Sequence, residues 1–120
     1  LSWPVKVTEE YAEWFRTLIK EDLRSAAQVA EAVGALRQEG PMLGRPLVDR
    51  LKGSRLHHLK ELRPGSGGSS EIRIIFAFDP SRSALLLLGG DKSGDWRRWY
   101  RTNIPRAERL YAEYTDEPEE

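Results

Sequence analysis

Glu71-Ile72-Arg73-Ile74-Ile75-Phe76-Ala77-Phe78-Asp79-Pro80-Ser81-Arg82-Ser83-Ala84-Leu85-Leu86-Leu87-Leu88-Gly89-Gly90-Asp91-Lys92 decides the fold of this chain. Glu71 to Phe78 is rich in β-branched and aromatic residues, as a strand requires, and Asp79 to Arg82 is a connection of hairpin length. Ser83 to Leu88 is a near-continuous apolar run that suits a central strand, and Gly89-Gly90 is expected to end it. The two-residue period of a strand puts Ile72, Ile74, Phe76 and Phe78 on the core face, so Glu71 and Arg73 point the other way. A buried core has no use for charges there.

Upstream of the hairpin, His57 to Arg63 is expected to be a short strand, joined to it by the flexible turn Pro64 to Ser70. Met42 to Gly53, with Gly44, Pro46 and Gly53 among scattered apolar residues, is expected to be a connecting loop. Two helices precede it. Thr8 fits an N-cap, Glu9 and Glu10 suit the positive end of a helix, and Tyr11, Trp14, Phe15, Leu18 and Ile19 keep to one helical face. A second helix begins near Asp22, presents Leu23, Ala26, Ala27, Ala30, Val33 and Leu36 as a stripe, and stops at Gly40-Pro41. Trp3 to Val7 is a candidate opening strand, with Pro4 at its start. Downstream, a last helix is expected from Ile104-Pro105, using Ala107, Leu110, Tyr111 and Tyr114, and 116–120 is expected to be an acidic, disordered tail. The order is strand, two helices, three strands, helix. That implies an α+β fold, a mostly antiparallel sheet with the N-terminal helices packed on one face and a C-terminal helix, in a single domain over residues 1–115. One sheet face is expected to stay open.

With 120 residues the chain is long enough for one core without covalent staples. Without cysteine there are no disulfides, thiolate metal sites or cysteine nucleophiles. No apolar run approaches the roughly 20 residues of a membrane span, and Leu1-Ser2-Trp3-Pro4 lacks the basic-then-hydrophobic pattern of a signal. A soluble, cytoplasmic protein with no membrane contact is expected. The formal net charge of zero hides an asymmetry: residues 45–109 carry a net +7, residues 1–44 a net −2 and residues 110–120 a net −5. Of the 19 basic residues 14 are arginine, whose planar fork matches phosphate oxygens in pairs, and this leans towards nucleic acid.

The motifs Leu51-Lys52-Gly53-Ser54, Leu59-Lys60-Glu61-Leu62-Arg63-Pro64, Glu71 to Asp79 and Gly89-Gly90-Asp91-Lys92, with Trp99-Tyr100 and Ile104-Pro105, resemble the phage-derived branch of the RelE/HigB toxins. The resemblance covers nearly the whole chain. It implies a RelE-like fold and the toxin half of a type II toxin-antitoxin pair. The implied activity is that of a ribosome-dependent endoribonuclease that cuts mRNA and is neutralised by a cognate antitoxin, commonly a HigA-like protein with a helix-turn-helix domain. The superfamily also holds ParE-like members that poison DNA gyrase without being nucleases, and an inactive phage relic that only binds nucleic acid or antitoxin is a third class.

Metal-free cleavage by the RNA 2′-hydroxyl needs a proton acceptor, cationic donors around the phosphorane and a group on the leaving 5′-oxygen. Arg73 is the candidate phosphate clamp. Leu62 as a core residue sends Glu61 and Arg63 to the opposite face, where Glu61 is the candidate general base. Lys60 is its rival for that role, although parity leaves it on the core side unless a bulge turns it. Lys92, just after Gly89-Gly90, resembles the family's C-terminal basic position and is assigned to the leaving group or the phosphate. Trp96, Trp99 and Tyr100 lie among Arg97, Arg98 and Arg101, an arrangement that can stack on splayed RNA bases. Trp96, Arg97 and Tyr100, with Arg55 and Arg82, form the expected RNA-binding set. The bland alternative for Glu61, Glu71, Arg63 and Arg73 is a cross-strand ion pair without chemistry. Strand alternation is expected to point His57 and His58 to opposite faces. The aspartates show no metal-site spacing, and no metal or other cofactor is expected.

Overall fold

The computed structural model describes residues 2–65 and 68–115. In chain order the elements are β1 (Val5–Val7), α1 (Glu9–Glu21), α2 (Leu23–Glu39), β2 (Val48–Arg50), β3 (Lys60–Leu62), β4 (Ile72–Phe78), β5 (Ala84–Asp91) and α3 (Trp96–Thr115), with a 3₁₀ turn at Gly40–Met42 after α2. The five strands form one sheet in the order β1-β5-β4-β3-β2. Its three pairings among β2 to β5 are antiparallel, and β1 joins β5 in parallel.

The β4-β5 hairpin is closed by Asp79, whose carboxylate accepts from the Ser83 N–H at 2.9 Å and the Ser81 hydroxyl at 2.8 Å. Arg82 completes the turn in the left-handed region, with φ 66°. Between Ile75 and Phe76 the register slips, so that Leu88 faces Ile75 while Leu86 faces Phe76. Leu87 is the extra residue of this bulge. Ile72, Ile74, Phe76 and Leu86 then pack with Tyr11, Val29, Ala32 and Leu36 of α1 and α2. Ile75, Ala77, Leu85, Leu87 and Leu88 pack on the other face with Ile104, Ala107 and Tyr111 of α3. The apolar run of β5 is continuous because helices cover it on both faces. Each fully buried side chain of this kind, such as Phe76 or Leu87, contributes roughly 1.5–3 kcal/mol.

Helix α1 starts where the sequence indicates: the Thr8 hydroxyl accepts from the Tyr11 N–H at 3.0 Å and donates to the Leu87 carbonyl at 2.6 Å. One side chain thus caps the helix and fixes it to the central strand. Asp22 caps α2 through the Ser25 N–H at 3.1 Å.

Several expectations need correction. The open face is covered in part by α3, because that helix starts at Trp96, eight residues before Ile104. Asp95 caps it, its carboxylate accepting from the Arg98 N–H at 3.1 Å, and Pro105 sits exposed within the helix. Gly89 and Gly90 continue β5 instead of ending it. The expected loop at 42–53 holds the edge strand β2. The strand expected at His57 to Arg63 is only Lys60–Leu62, so alternation does not govern His57 and His58; both are exposed, and His58 meets the Tyr111 ring edge-on at 4.7 Å. The buried stripe of α2 runs through Ser25, Ala26, Val29, Ala32 and Leu36, leaving Leu23, Ala27 and Ala30 exposed. Val29 sets that rotation, since its branched side chain buries more than an alanine methyl. The expected acidic tail, 116–120, lies outside the described residues. Among those described, no helix is long and apolar enough to cross a membrane.

Gly89 and Gly90 are needed for want of a side chain. A Cβ at Gly89 would stand 2.5 Å from the Trp14 ring, and one at Gly90 2.5 Å from Nε1 of Trp99. The two indoles lie against the strand from opposite faces. Gly89→Ala or Gly90→Ala is expected to lower stability by about 1–3 kcal/mol through overpacking, as urea unfolding would measure.

Candidate functional site

Charged side chains gather on the α3 side of the sheet, at the end where Arg73 pairs with Gly90. β3 supplies Glu61, the residue after its end supplies Arg63, β4 supplies Arg73 and the turn after β5 supplies Lys92. Helix α3 contributes Trp96 and Tyr100 from its first two turns. Early initiation of α3 is what brings these rings over the strands.

Glu61 is at the centre and is only 2% exposed. Its Oε1 accepts from Arg63 Nε at 3.0 Å, and its Oε2 accepts from the Tyr100 hydroxyl in a short hydrogen bond. Arg73 Nε is 3.9 Å from Oε1, an ion pair beyond hydrogen-bond reach. That nitrogen is buried and has no hydrogen-bond partner among the described residues, while Nη1 donates to the Ile72 carbonyl at 2.8 Å. A buried donor left unmatched on a charged group costs free energy. Arg63 also reaches Asp49 at 3.6 Å. The Arg50 N–H holds the Asp49 carboxyl below its ordinary range; partial burial opposes this, and the charges of Arg45 and Arg63 add to it.

Tyr100 is pushed the other way. Burial is the largest cause, then the hydrogen bond to Glu61 and its charge, with Arg73 opposing, and together they raise the phenol above its ordinary value. It is therefore a proton-bearing donor throughout the neutral range. Lys92 is anchored by its N–H to the Glu71 carbonyl at 3.0 Å, and its Nζ lies 3.8 Å from Glu71 Oε1. The same Nζ is 6.0 and 5.9 Å from the ring centres of Trp96 and Tyr100, within reach of cation–π attraction.

These groups surround a pocket of about 360 Å³ lined by Arg50, Leu51, Lys52, Glu61, Arg63, Lys92, Trp96 and Tyr100. Four basic residues and one carboxylate line it. The pocket joins a polyanion's two recognition needs, positive charge for phosphate and aromatic surface for a base.

Of the residues expected from the sequence, Glu61, Arg63, Arg73, Lys92, Trp96 and Tyr100 are brought together. Arg73 stands against Glu61 instead of on the pocket wall. Lys60 pairs with Phe76 and Arg50 on the opposite face and does not line the pocket. Arg55 lies in the β2-β3 connection, its N–H and Nε held by the buried Glu108 carboxylate at 2.7 and 3.4 Å. Arg82 is at the far end of the hairpin, 5.3 Å over the Trp3 ring. Arg97 stacks over Trp96 at 5.0 Å on the outer surface of α3. Arg50 and Lys52 join the pocket without being expected there. Alternation in Val48-Asp49-Arg50 turns Asp49 to the Glu61 face and pairs Arg50 with Lys60, so Arg50 borders the pocket only as the last residue of the edge strand.

The model of the family described as "Phage derived protein Gp49-like" matches residues 13–112. Among curated proteins, "Putative toxin HigB3" of Mycobacterium tuberculosis is 52% identical over 95 residues, covering 79% of this chain and 78% of that protein. "Putative toxin HigB2" of the same organism is 45% identical over 114 residues, which is 95% of this chain and 55% of that protein's length. The fold is also that of the YoeB dimer structure from Staphylococcus aureus, with a TM-score of 0.57 at 14% identity, covering 72% of this chain and 92% of that one. The family match spans the elements that build the pocket, from α1 to α3. On these grounds the chain belongs to the phage-derived Gp49-like family of RelE/HigB-type toxins, the toxin side of toxin-antitoxin systems.

Proposed function

We propose that this toxin is an endoribonuclease that cleaves mRNA on the ribosome in the cytoplasm, without a metal, and is neutralised by a cognate antitoxin of HigA-like, helix-turn-helix type. The observation that carries this reading is the convergence of Arg50, Lys52, Arg63 and Lys92 on one pocket with Trp96, Tyr100 and the carboxylate Glu61. A phosphodiester with its flanking base meets a partner for each of its parts there.

In the proposed reaction the 2′-oxygen attacks the adjacent phosphorus, forming the O2′–P bond as the P–O5′ bond breaks. The products are a 2′,3′-cyclic phosphate and a 5′-hydroxyl. Phosphate binding draws the Arg63 guanidinium off Glu61 Oε1, and the freed oxygen takes the 2′-hydroxyl proton. Arg63 and Lys92 then stabilise the phosphorane oxygens. Tyr100 protonates the leaving 5′-oxygen and is reprotonated by Glu61 along the hydrogen bond they already share, so the proton balance closes. Arg73 acts as a positioning cation that fixes the Glu61 carboxylate. The ribosome supplies the substrate geometry that an open, shallow site cannot impose alone.

Brief induction in cells followed by mapping of mRNA 5′ ends tests this. In-frame cuts confined to translated messages are the expected result. Growth arrest with intact messages and inhibited supercoiling would replace this reading with a gyrase-type toxin.

A further inference from the structure

A second groove of about 550 Å³ adjoins the pocket and shares two of its walls, Lys52 and Tyr100. Its remaining lining includes Arg55, Arg101, Ile104 and Pro105. We infer that this groove binds the nucleotide next to the scissile one, so that a single RNA strand crosses the Lys52-Tyr100 ridge from the first pocket into the second. The inference rests on the ribonuclease reading above and extends it to a substrate path.

Two observations carry it. First, Lys52 and Arg101 are exposed, and neither forms an ion pair among the described residues. Their charge is available to a phosphate, whereas Glu108, the acid in the groove's own lining, is 5% exposed and held by Ser54 and Arg55. Second, the Tyr100 ring stands between the two spaces, and an aromatic plane between neighbouring sites is how single strands are held with their bases unstacked. Basic donors and a ring together match a nucleotide's phosphate and base face. A protein side chain would use the same apolar floor of Ile104 and Pro105 but has no need of the two cations.

The test is binding by the full chain of two 2′-fluoro oligoribonucleotides, a dinucleotide that fills the first pocket and a hexanucleotide that crosses the ridge. The wild type is expected to bind the hexamer more tightly and with a steeper salt dependence. Arg101→Ala should weaken the hexamer about five- to tenfold and make its log–log salt slope shallower by about 0.7, the value for one single-strand phosphate that is no longer neutralised. Dinucleotide binding should be unchanged. Arg109→Ala, which removes the same charge from an exposed position elsewhere on α3, should match the wild type on both. If Arg101→Ala binds the hexamer as the wild type does, or loses the same factor on both oligomers, the second subsite is wrong and the first pocket stands. If the wild type binds neither, the second subsite is wrong, while the ribonuclease reading falls only if mRNA stays uncut in the 5′-end mapping.

Discussion

Glu61→Ala is expected to abolish mRNA cleavage and, in the same protein, to lower unfolding stability by about 3–5 kcal/mol. The stability loss follows from what Glu61 holds. Arg63 Nε, Arg73 Nε and the Tyr100 hydroxyl all face this one carboxylate, and its removal leaves the largely buried Arg73 charge without a counter-ion, while Arg63 keeps Asp49. Deleting one partner of a buried ionic cluster costs more than the cluster ever contributed, because the others remain desolvated. Glu61→Gln separates chemistry from architecture. Its carbonyl oxygen still accepts a hydrogen bond and its shape is retained, so most of the stability should survive, while loss of the proton acceptor lowers cleavage by about 10²–10⁴-fold. Urea unfolding of both variants, beside cleavage of a translated message, gives the comparison. Full activity in Glu61→Gln would remove the carboxylate from the chemistry.

Arg73→Ala is the second substitution with a large expected effect: a loss of cleavage of at least about 10²-fold in a folded protein. Arg73 already lacks a partner at Nε, so its deletion removes an unsatisfied donor along with a charge, and the two stability effects oppose each other. The fold should therefore be nearly as stable as the wild type. A purely structural role would give the opposite pattern, with stability lost and cleavage retained in the molecules that fold. Added guanidinium at millimolar concentration should restore part of the Arg73→Ala activity, since the space vacated beside Glu61 fits the missing group. Cleavage by Arg73→Ala at the wild-type rate would show that Glu61 needs no positioning by Arg73 and overturn the assignment.

The parts of the fold that can be read from the residues are those set by local rules. Thr8 caps α1 and the Asp79 turn closes β4 onto β5 because caps and hairpins depend on neighbours in sequence. The start of α3 is obscured because Pro105 mimics a first-turn signal, while Ser93-Gly94-Asp95 holds the real cap. β2 is hidden because three residues between prolines and glycines carry too little pattern, and its partner β3 supplies the order. For the site, strand parity places Glu61, Arg63 and Arg73 together and Lys60 apart. The hydrogen bond from Tyr100 to Glu61 joins positions 39 apart in the chain, and no spacing rule reaches that far. Tyr100 can be read as an aromatic among arginines and no further.

The opposed indoles on Gly89 and Gly90 have an experimental use. Trp14 lies in the half of the core under α1 and α2, and Trp99 in the half under α3, each against one residue of the same strand. The chain thus carries an intrinsic fluorophore on either side of its sheet. With Trp3 and Trp96 replaced by phenylalanine, and one of the remaining pair as well, single-tryptophan proteins would report the melting of each half alone. Coincident transitions would make the sheet and both helical layers one cooperative unit; separated ones would show α3 leaving the sheet while the rest stays folded.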